Sequence, residues 1–259
     1  TTDTPYEGDR AEPYASREDV QYILDQANRV LEPQLKAEEI IGVYAGLRPL
    51  VANKKSSTTT KLSREHTVDR PVPGFVSIAG GKYTTYRVMG KDAVDRAVVD
   101  LRKITQDSVT EKLPLVGADG YFALEQQKER IAQESGLDVE TVTHLLNRYG
   151  SLISEILEII SEQPKLANKL DAQLPYLKAE IVYAASHEGA RTVDDVISRR
   201  TRLAFEAEGH GVHLADEVGA LIAPVLGWSA KERKESIAAY EQLVDRELAA
   251  LDELLEANS

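Results

Sequence analysis

The chain has 259 residues, 42% of them hydrophobic and 29% charged, a balance that suits a globular protein with a core of useful size. Its formal net charge of -12 opposes binding to nucleic acid and to anionic lipid except where basic residues cluster. It has no cysteine, which excludes disulfides and thiolate metal sites and makes a reducing, cytoplasmic setting the simplest expectation. No apolar run approaches the ~20 residues that a membrane-spanning helix needs, and no signal peptide is recognisable. The chain opens on Thr1 and its one methionine is Met89. From this we expect a portion of a longer protein.

Ser16, with Asp19 three residues on, resembles a capping box and predicts a helix from Ser16 to Leu31. Val20, Ile23, Leu24, Ala27 and Leu31 fall on one face of it. Ile40 to Leu50 is apolar, partly β-branched and glycine-bearing; it reads as a buried strand with a close backbone approach at Gly46. Asn53 to Lys61 is a polar loop, and a short strand follows near Arg64 to Val68. Gly74 to Ala79 reads as another strand. It runs through Gly80-Gly81-Lys82 into a helix starting near Thr84 or Thr85, with Met89, Ala93, Ala97 and Leu101 as its stripe.

From about Leu113 the pattern is helical throughout. Candidates are 120–135, 139–149, 151–162, 176–188, 192 toward 204, 214–223 and 230–256, with breaks at Gly136, Gly150, Pro164, Pro175, Pro224 and Gly227. Ser229 and Glu232 form a second capping box. These patterns predict an α+β portion, residues 1–108, whose sheet edges need a partner. An all-α helical domain, residues 109–259, follows it.

Two segments carry chemistry. In Ile78 to Arg87 a strand ends, two glycines let the backbone turn, and a helix starts. The N–H groups of a first helical turn have no partner within the helix and carry partial positive charge, so they suit a phosphate, a carboxylate or the anionic edge of a reduced flavin. Lys82 adds a full charge. The same pattern also occurs in a tight βα turn with no ligand. Arg48 precedes Pro49, which restricts its backbone. Its guanidinium suits bidentate binding of a phosphate or carboxylate, or a structural ion pair with an acidic neighbour.

The strings Tyr44-Ala45-Gly46-Leu47-Arg48-Pro49-Leu50, Ser63-Arg64-Glu65-His66 and Gly80-Gly81-Lys82-Tyr83-Thr84-Thr85-Tyr86-Arg87 come in this order. Together they resemble the FAD-dependent glycerol-3-phosphate dehydrogenases, which belong with the D-amino-acid-oxidase-like flavoproteins. The opening Thr1 to Asp9 is similar to that family. So are His187-Glu188, Thr192-Val193-Asp194-Asp195-Val196 and Arg199-Arg200-Thr201-Arg202-Leu203 in the helical half. The resemblance covers nearly the whole chain. It implies a flavoprotein fragment followed by the helical C-terminal domain.

The resemblance also implies oxidation of sn-glycerol 3-phosphate to dihydroxyacetone phosphate, with electrons leaving through FAD to a quinone, or to oxygen in oxidase relatives. Arg48 and Arg64 match family arginines at the substrate site, and Lys82 matches a lysine close to flavin and substrate. Gly80, Gly81, Lys82, Tyr83, Thr84 and Thr85 would face the cofactor, with the backbone stabilising charge on the ring. The G-x-G-x-x-G fingerprint for the FAD pyrophosphate is absent from the chain. The expected partner is therefore an N-terminal FAD-binding portion of the same protein, without which the chain should be inactive. A homodimer and peripheral contact with the inner face of the plasma membrane are compatible with this expectation.

Other features read as structure. His187-Glu188 lacks the second histidine of a zinc helix, Arg191 standing in its place. His210 and His213 have no further ligands in sequence, and no metal is expected. The Arg199, Arg200 and Arg202 cluster suits ion pairing, or docking to anionic headgroups as its alternative. Trp228 is a junction anchor. A rival for the whole chain is a helical interaction or oligomerisation module. A third option is a related flavin-dependent hydroxy-acid oxidoreductase, with Arg48 on a carboxylate.

Overall fold

The computed structural model describes residues 2–51, 65–101 and 105–257. The predicted Asn53 to Lys61 loop and the candidate Arg64 lie outside them. The chain forms two compact units: Thr1–Pro13 with Ala45–Leu113, and Tyr14–Tyr44 with Pro114–Ser259.

The first unit is built on a hairpin. Strands β1 (His66–Val72) and β2 (Phe75–Gly80) pair antiparallel, with His66 opposite Gly80 and Val68 opposite Ile78. The ladder is irregular between Asp69 and Val72, where Pro71 has no N–H to give. Helix α2 (Tyr86–Val98) follows a tight 3-10 turn at Tyr83–Thr85. Just past α2, the Asp100 carboxylate accepts from Arg70 Nε and from the Gly74 N–H, each at 2.9 Å, tying the hairpin to the end of the helix. No residue of α2 is fully buried, and Leu101, assigned to its apolar stripe, is exposed.

The segment predicted as a buried strand from Ile40 to Leu50 is not one: after a 3-10 turn at Ala37–Glu39 it runs as irregular backbone. Ile41, Tyr44 and Leu47 are exposed, and among the described residues nothing lies within 4 Å of where a Gly46 Cβ would stand. The close approach is at Gly42 instead, where a Cβ would stand 2.7 Å from the His210 ring. The reason lies in the backbone accounting. The Val43 N–H donates to His210 Nε2 at 3.2 Å and the Ile41 carbonyl accepts from the Gly209 N–H at 3.2 Å, so a left-handed loop takes the bonds that a sheet neighbour would have made.

The second unit is helical. Helix α1 (Arg17–Asn28) carries the predicted capping box, with Asp19 N–H on Ser16 Oγ at 3.2 Å and Ser16 N–H on Asp19 Oδ2 at 3.3 Å. The 120–135 stretch divides into α3 (Tyr121–Glu125) and α4 (Lys128–Ser135). Then come α5 (Val139–Tyr149), α6 (Ile153–Glu162) and α7 (Lys178–Ser186). The stretch from Thr192 toward Ala204 becomes a π-helical turn at Asp195–Arg200 and a short α8 (Leu203–Glu206). Its wide turn is held by Thr201, whose N–H and hydroxyl both donate to the Val196 carbonyl, at 2.9 and 2.8 Å. Helix α9 (Ala215–Leu226) runs past Pro224, the predicted break, and stops at Gly227 with φ 68°. Helix α10 (Ala230–Ala257) starts on the predicted box, Ser229 N–H meeting Glu232 Oε2 at 2.7 Å.

Three apolar clusters fill this unit. One joins α7, the π-turn, α9 and α10 through Ile181, Val196, Ile197, Val218, Ile222 and Tyr240. A second joins α4 to α7 through Val142, Leu145, Leu146 and Ile156. The third is small and joins α1 to the end of α10.

Candidate active site

The site grows from the end of β2. Gly80 and Gly81 have φ of 75° and 88°, a left-handed backbone that L side chains rarely adopt. The space is also closed. A Cβ on Gly80 would lie 2.5 Å from Val51 Cγ2, 2.8 Å from the Glu65 carbonyl and 3.6 Å from the Pro49 carbonyl. A Cβ on Gly81 would lie 2.5 Å from Met89 Sδ and 3.1 Å from His66 Cβ. Gly80 thus sits against the residues that directly follow Arg48 and Arg64 in the chain. The three motif segments converge on one glycine.

Beyond the glycines the turn closes on itself. Thr85 N–H and Thr85 Oγ1 both donate to the Lys82 carbonyl at 3.0 Å, and Lys82 N–H reaches Thr85 Oγ1 at 3.4 Å. The first-turn N–H groups of Tyr83 and Thr84 have no place in this ring, and α2 continues from it with its positive end here. The Lys82 side chain is exposed, and Tyr83 is 92% exposed with its ring 6.0 Å from that of Tyr86. The six residues assigned to the cofactor, Gly80, Gly81, Lys82, Tyr83, Thr84 and Thr85, therefore form one continuous turn. Arg48 lies on the neighbouring segment, where its Nη1 pairs with Asp3 Oδ2 at 3.3 Å. Arg64 lies outside the described residues.

His66 lies within one of the motif strings, and the sequence alone assigns it no role. Its Nε2 bonds Asp92 Oδ2 on α2 at 2.8 Å. The signal available was its place two residues after Arg64, opposite the coming glycine turn. Asp3, the partner of Arg48, was equally unmarked within the opening string.

The features set aside as structural are packed in the second unit. His187 stacks on Tyr183, with ring centroids 4.6 Å apart. Arg199 pairs with Asp194 and Asp195, and Arg202 with Glu206 at 3.1 Å. Trp228 packs on the main core. His210 is buried at φ 56°, has its Nδ1 2.9 Å from a Glu247 carboxylate oxygen, and lines an open cleft with Ile41, Tyr44, Arg202 and Phe205.

Residues 108–233 match the model of the C-terminal domain of alpha-glycerophosphate oxidase. Glycerol-3-phosphate dehydrogenase 2 of Mycobacterium tuberculosis is 48% identical over 248 residues, which are 96% of this chain and 42% of that protein. The mitochondrial glycerol-3-phosphate dehydrogenase of Mus musculus is 34% identical over 243 residues, 92% of this chain and 33% of that protein. The X-ray structure of glycerol-3-phosphate dehydrogenase from Bacillus halodurans complexed with FAD superposes with a TM-score of 0.76 at 27% identity, over 95% of this chain and 48% of that one. The chain spans less than half the length of the curated relatives it matches. Residues 108–233 thus resemble that C-terminal domain, and nearly the whole chain is similar in sequence and in fold to a part of these glycerol-3-phosphate dehydrogenases.

Proposed function

We propose that this chain supplies the substrate-side part of an FAD-dependent oxidation of sn-glycerol 3-phosphate to dihydroxyacetone phosphate. The observation that carries the proposal is the convergence on Gly80: the segments after Arg48 and Arg64 pack against it, and Lys82 follows at once. The residues present suit the edge of a flavin. Gly80 and Gly81 make a left-handed turn packed against Val51, Glu65, Met89 and His66, and beyond it lies a helical first turn with N–H groups available to an anionic edge. FAD, when bound, supplies the hydride acceptor.

The chain's own residues bind and orient. Arg48 holds the phosphate as a charged, planar donor, releasing its exposed pair with Asp3, which in water is worth little. Arg64 acts on the phosphate or the developing carbonyl. Lys82 and the first turn of the helix put positive potential where negative charge grows on the ring. The dinucleotide pyrophosphate is held by the N-terminal FAD-binding portion of the same protein. Electrons pass to a quinone, from a cytoplasmic enzyme resting on the inner face of the plasma membrane.

Dye-coupled oxidation of glycerol 3-phosphate, measured on the protein made from its complete reading frame, tests this with Arg48→Ala beside wild type. Loss of one bidentate charged contact to phosphate should cost about 2–5 kcal/mol in kcat/KM. An active wild type with an unimpaired mutant removes Arg48 from the site but leaves the activity. A wild type that binds flavin and ignores glycerol 3-phosphate removes the substrate, and hydroxy acids become the next compounds to assay.

A further inference from the structure

Three elements meet at His66. It opens β1 and stands opposite Gly80 in the ladder. Its Cβ is one of the atoms that leave no room for a side chain on Gly81. Its ring reaches across to α2, where Nε2 and Asp92 Oδ2 are 2.8 Å apart. The remaining wall of Gly81 is Met89, one helical turn before Asp92 on the same helix. The pair is sheltered but not sealed, with side chains 19% and 40% exposed. A carboxylate can only accept, so the proton of this bond is on Nε2. The bond thereby fixes both the ring's tautomer and its plane.

The consequence is mechanical. Gly81 has no side chain of its own to hold it, and its left-handed backbone is open to several conformations. What limits it is the pair of walls, His66 on one side and Met89 on the other. The His66–Asp92 bond sets the spacing between the strand and the helix that carry those walls. We propose that His66, held by Asp92, is a positioning residue for the reaction: it fixes the Gly81–Thr85 turn so that its N–H groups and Lys82 face the reduced ring in one orientation. The proposal rests on the flavin reading above. It adds that alignment of the turn is set from β1 and α2, by a residue that touches neither substrate nor cofactor.

Two variants of the complete holoenzyme test it. His66→Phe keeps a ring against Gly81 and removes the donor. Asp92→Leu removes the acceptor at a half-exposed helical position where leucine is a better helix former than aspartate, so folding is preserved. The readouts are the rate of flavin bleaching by glycerol 3-phosphate in anaerobic stopped flow, the midpoint potential of the bound flavin, and the substrate KM. The expected result is a bleaching rate lowered about tenfold, in line with the sensitivity of such reactions to small misplacements. The potential should fall and KM stay near wild type. Folded Asp92→Leu protein with wild-type bleaching rate and potential overturns the proposal. So does a rise in KM with no change in potential, which would make the pair a substrate-side support instead. A wild type that takes up no flavin overturns the underlying reading and this inference together, and shows itself in the unmutated protein.

Discussion

The carboxylate of Glu180 is completely buried near the start of α7, yet three residues hydrogen-bond to it and a fourth pairs with its charge. Leu177 N–H donates at 2.7 Å, the Tyr149 hydroxyl at 3.0 Å, and His144 Nε2 lies 3.0 and 3.1 Å from the two oxygens. Arg148 Nε completes the set as an ion pair at 3.4 Å. The Arg148 guanidinium also lies over the rings of Tyr176 and Tyr149, 5.1 and 5.6 Å from their centroids. Burial, then the charge of Glu180, pushes the Tyr149 phenol up, so it stays a donor. Burial, with the bond to Glu206, pushes Tyr176 up to about 12. A buried charge of this kind contributes little against a well-packed apolar pair, but breaking it is costly. Glu180→Ala should destabilise the protein by about 3–5 kcal/mol in urea unfolding at neutral pH, because Arg148 is left without its counter-charge. Adding Arg148→Met to Glu180→Leu should recover much of that loss. A double variant no better than the single one would mean that shape, not charge, is what Glu180 supplies. Nothing in the sequence marks this residue. Its charged and phenolic partners lie 31 to 36 positions away, and a glutamate in the first turn of a helix reads as an ordinary complement to the dipole.

At the scale of elements, what was legible in the sequence was what is decided within a few residues. The capping boxes at Ser16–Asp19 and Ser229–Glu232 form as predicted, and α5 has the predicted bounds. The Ile40 to Leu50 strand and the Pro224 break failed because their outcome depends on distant groups or on tertiary support. His210 took the backbone bonds of the first, and packing on the core carried α9 through the second. Local caps also carry a pH dependence. Asp138 caps α5, accepting from the Thr141 N–H at 2.7 Å, and that bond holds its carboxyl below the ordinary 3.8. A carboxyl depressed by folding stabilises the protein above its unfolded value, and that contribution is lost as pH falls through the folded value. Asp138→Ala should therefore cost about 1 kcal/mol at pH 7, and the difference from wild type should shrink when denaturation is repeated in acid. Asp138→Asn keeps an oxygen for Thr141, so it should cost less at pH 7 and converge on wild type in acid. An alanine penalty unchanged in acid would show that the carboxylate's charge adds nothing to the cap.

At the scale of the molecule, the helical periods from Leu113 onward foretold a mostly helical chain. The affiliation of Tyr14–Tyr44 with the helical unit was not foretold. Its partner, the end of α10, is more than two hundred residues away, and an amphipathic helix does not announce which surface it covers. That junction is a satellite of the core: Val20 and Ala37 from one side, Ala250, Leu251 and Leu254 from the other. The two larger clusters hold α4 to α7 and α7 to α10 without it. A small, separate cluster should open independently of the rest, because local unfolding follows the apolar contacts that hold each part. Leu254 is the residue to remove, since it is nearly buried and belongs to no other cluster. Leu254→Ala should cost about 2–5 kcal/mol where it packs. In native-state hydrogen exchange that loss should appear as lower protection in α1 and in α10 beyond Leu248, with α5 and α7 keeping theirs. Equal loss in all helices would mean that the unit unfolds as one body and that the third cluster is part of its cooperative core.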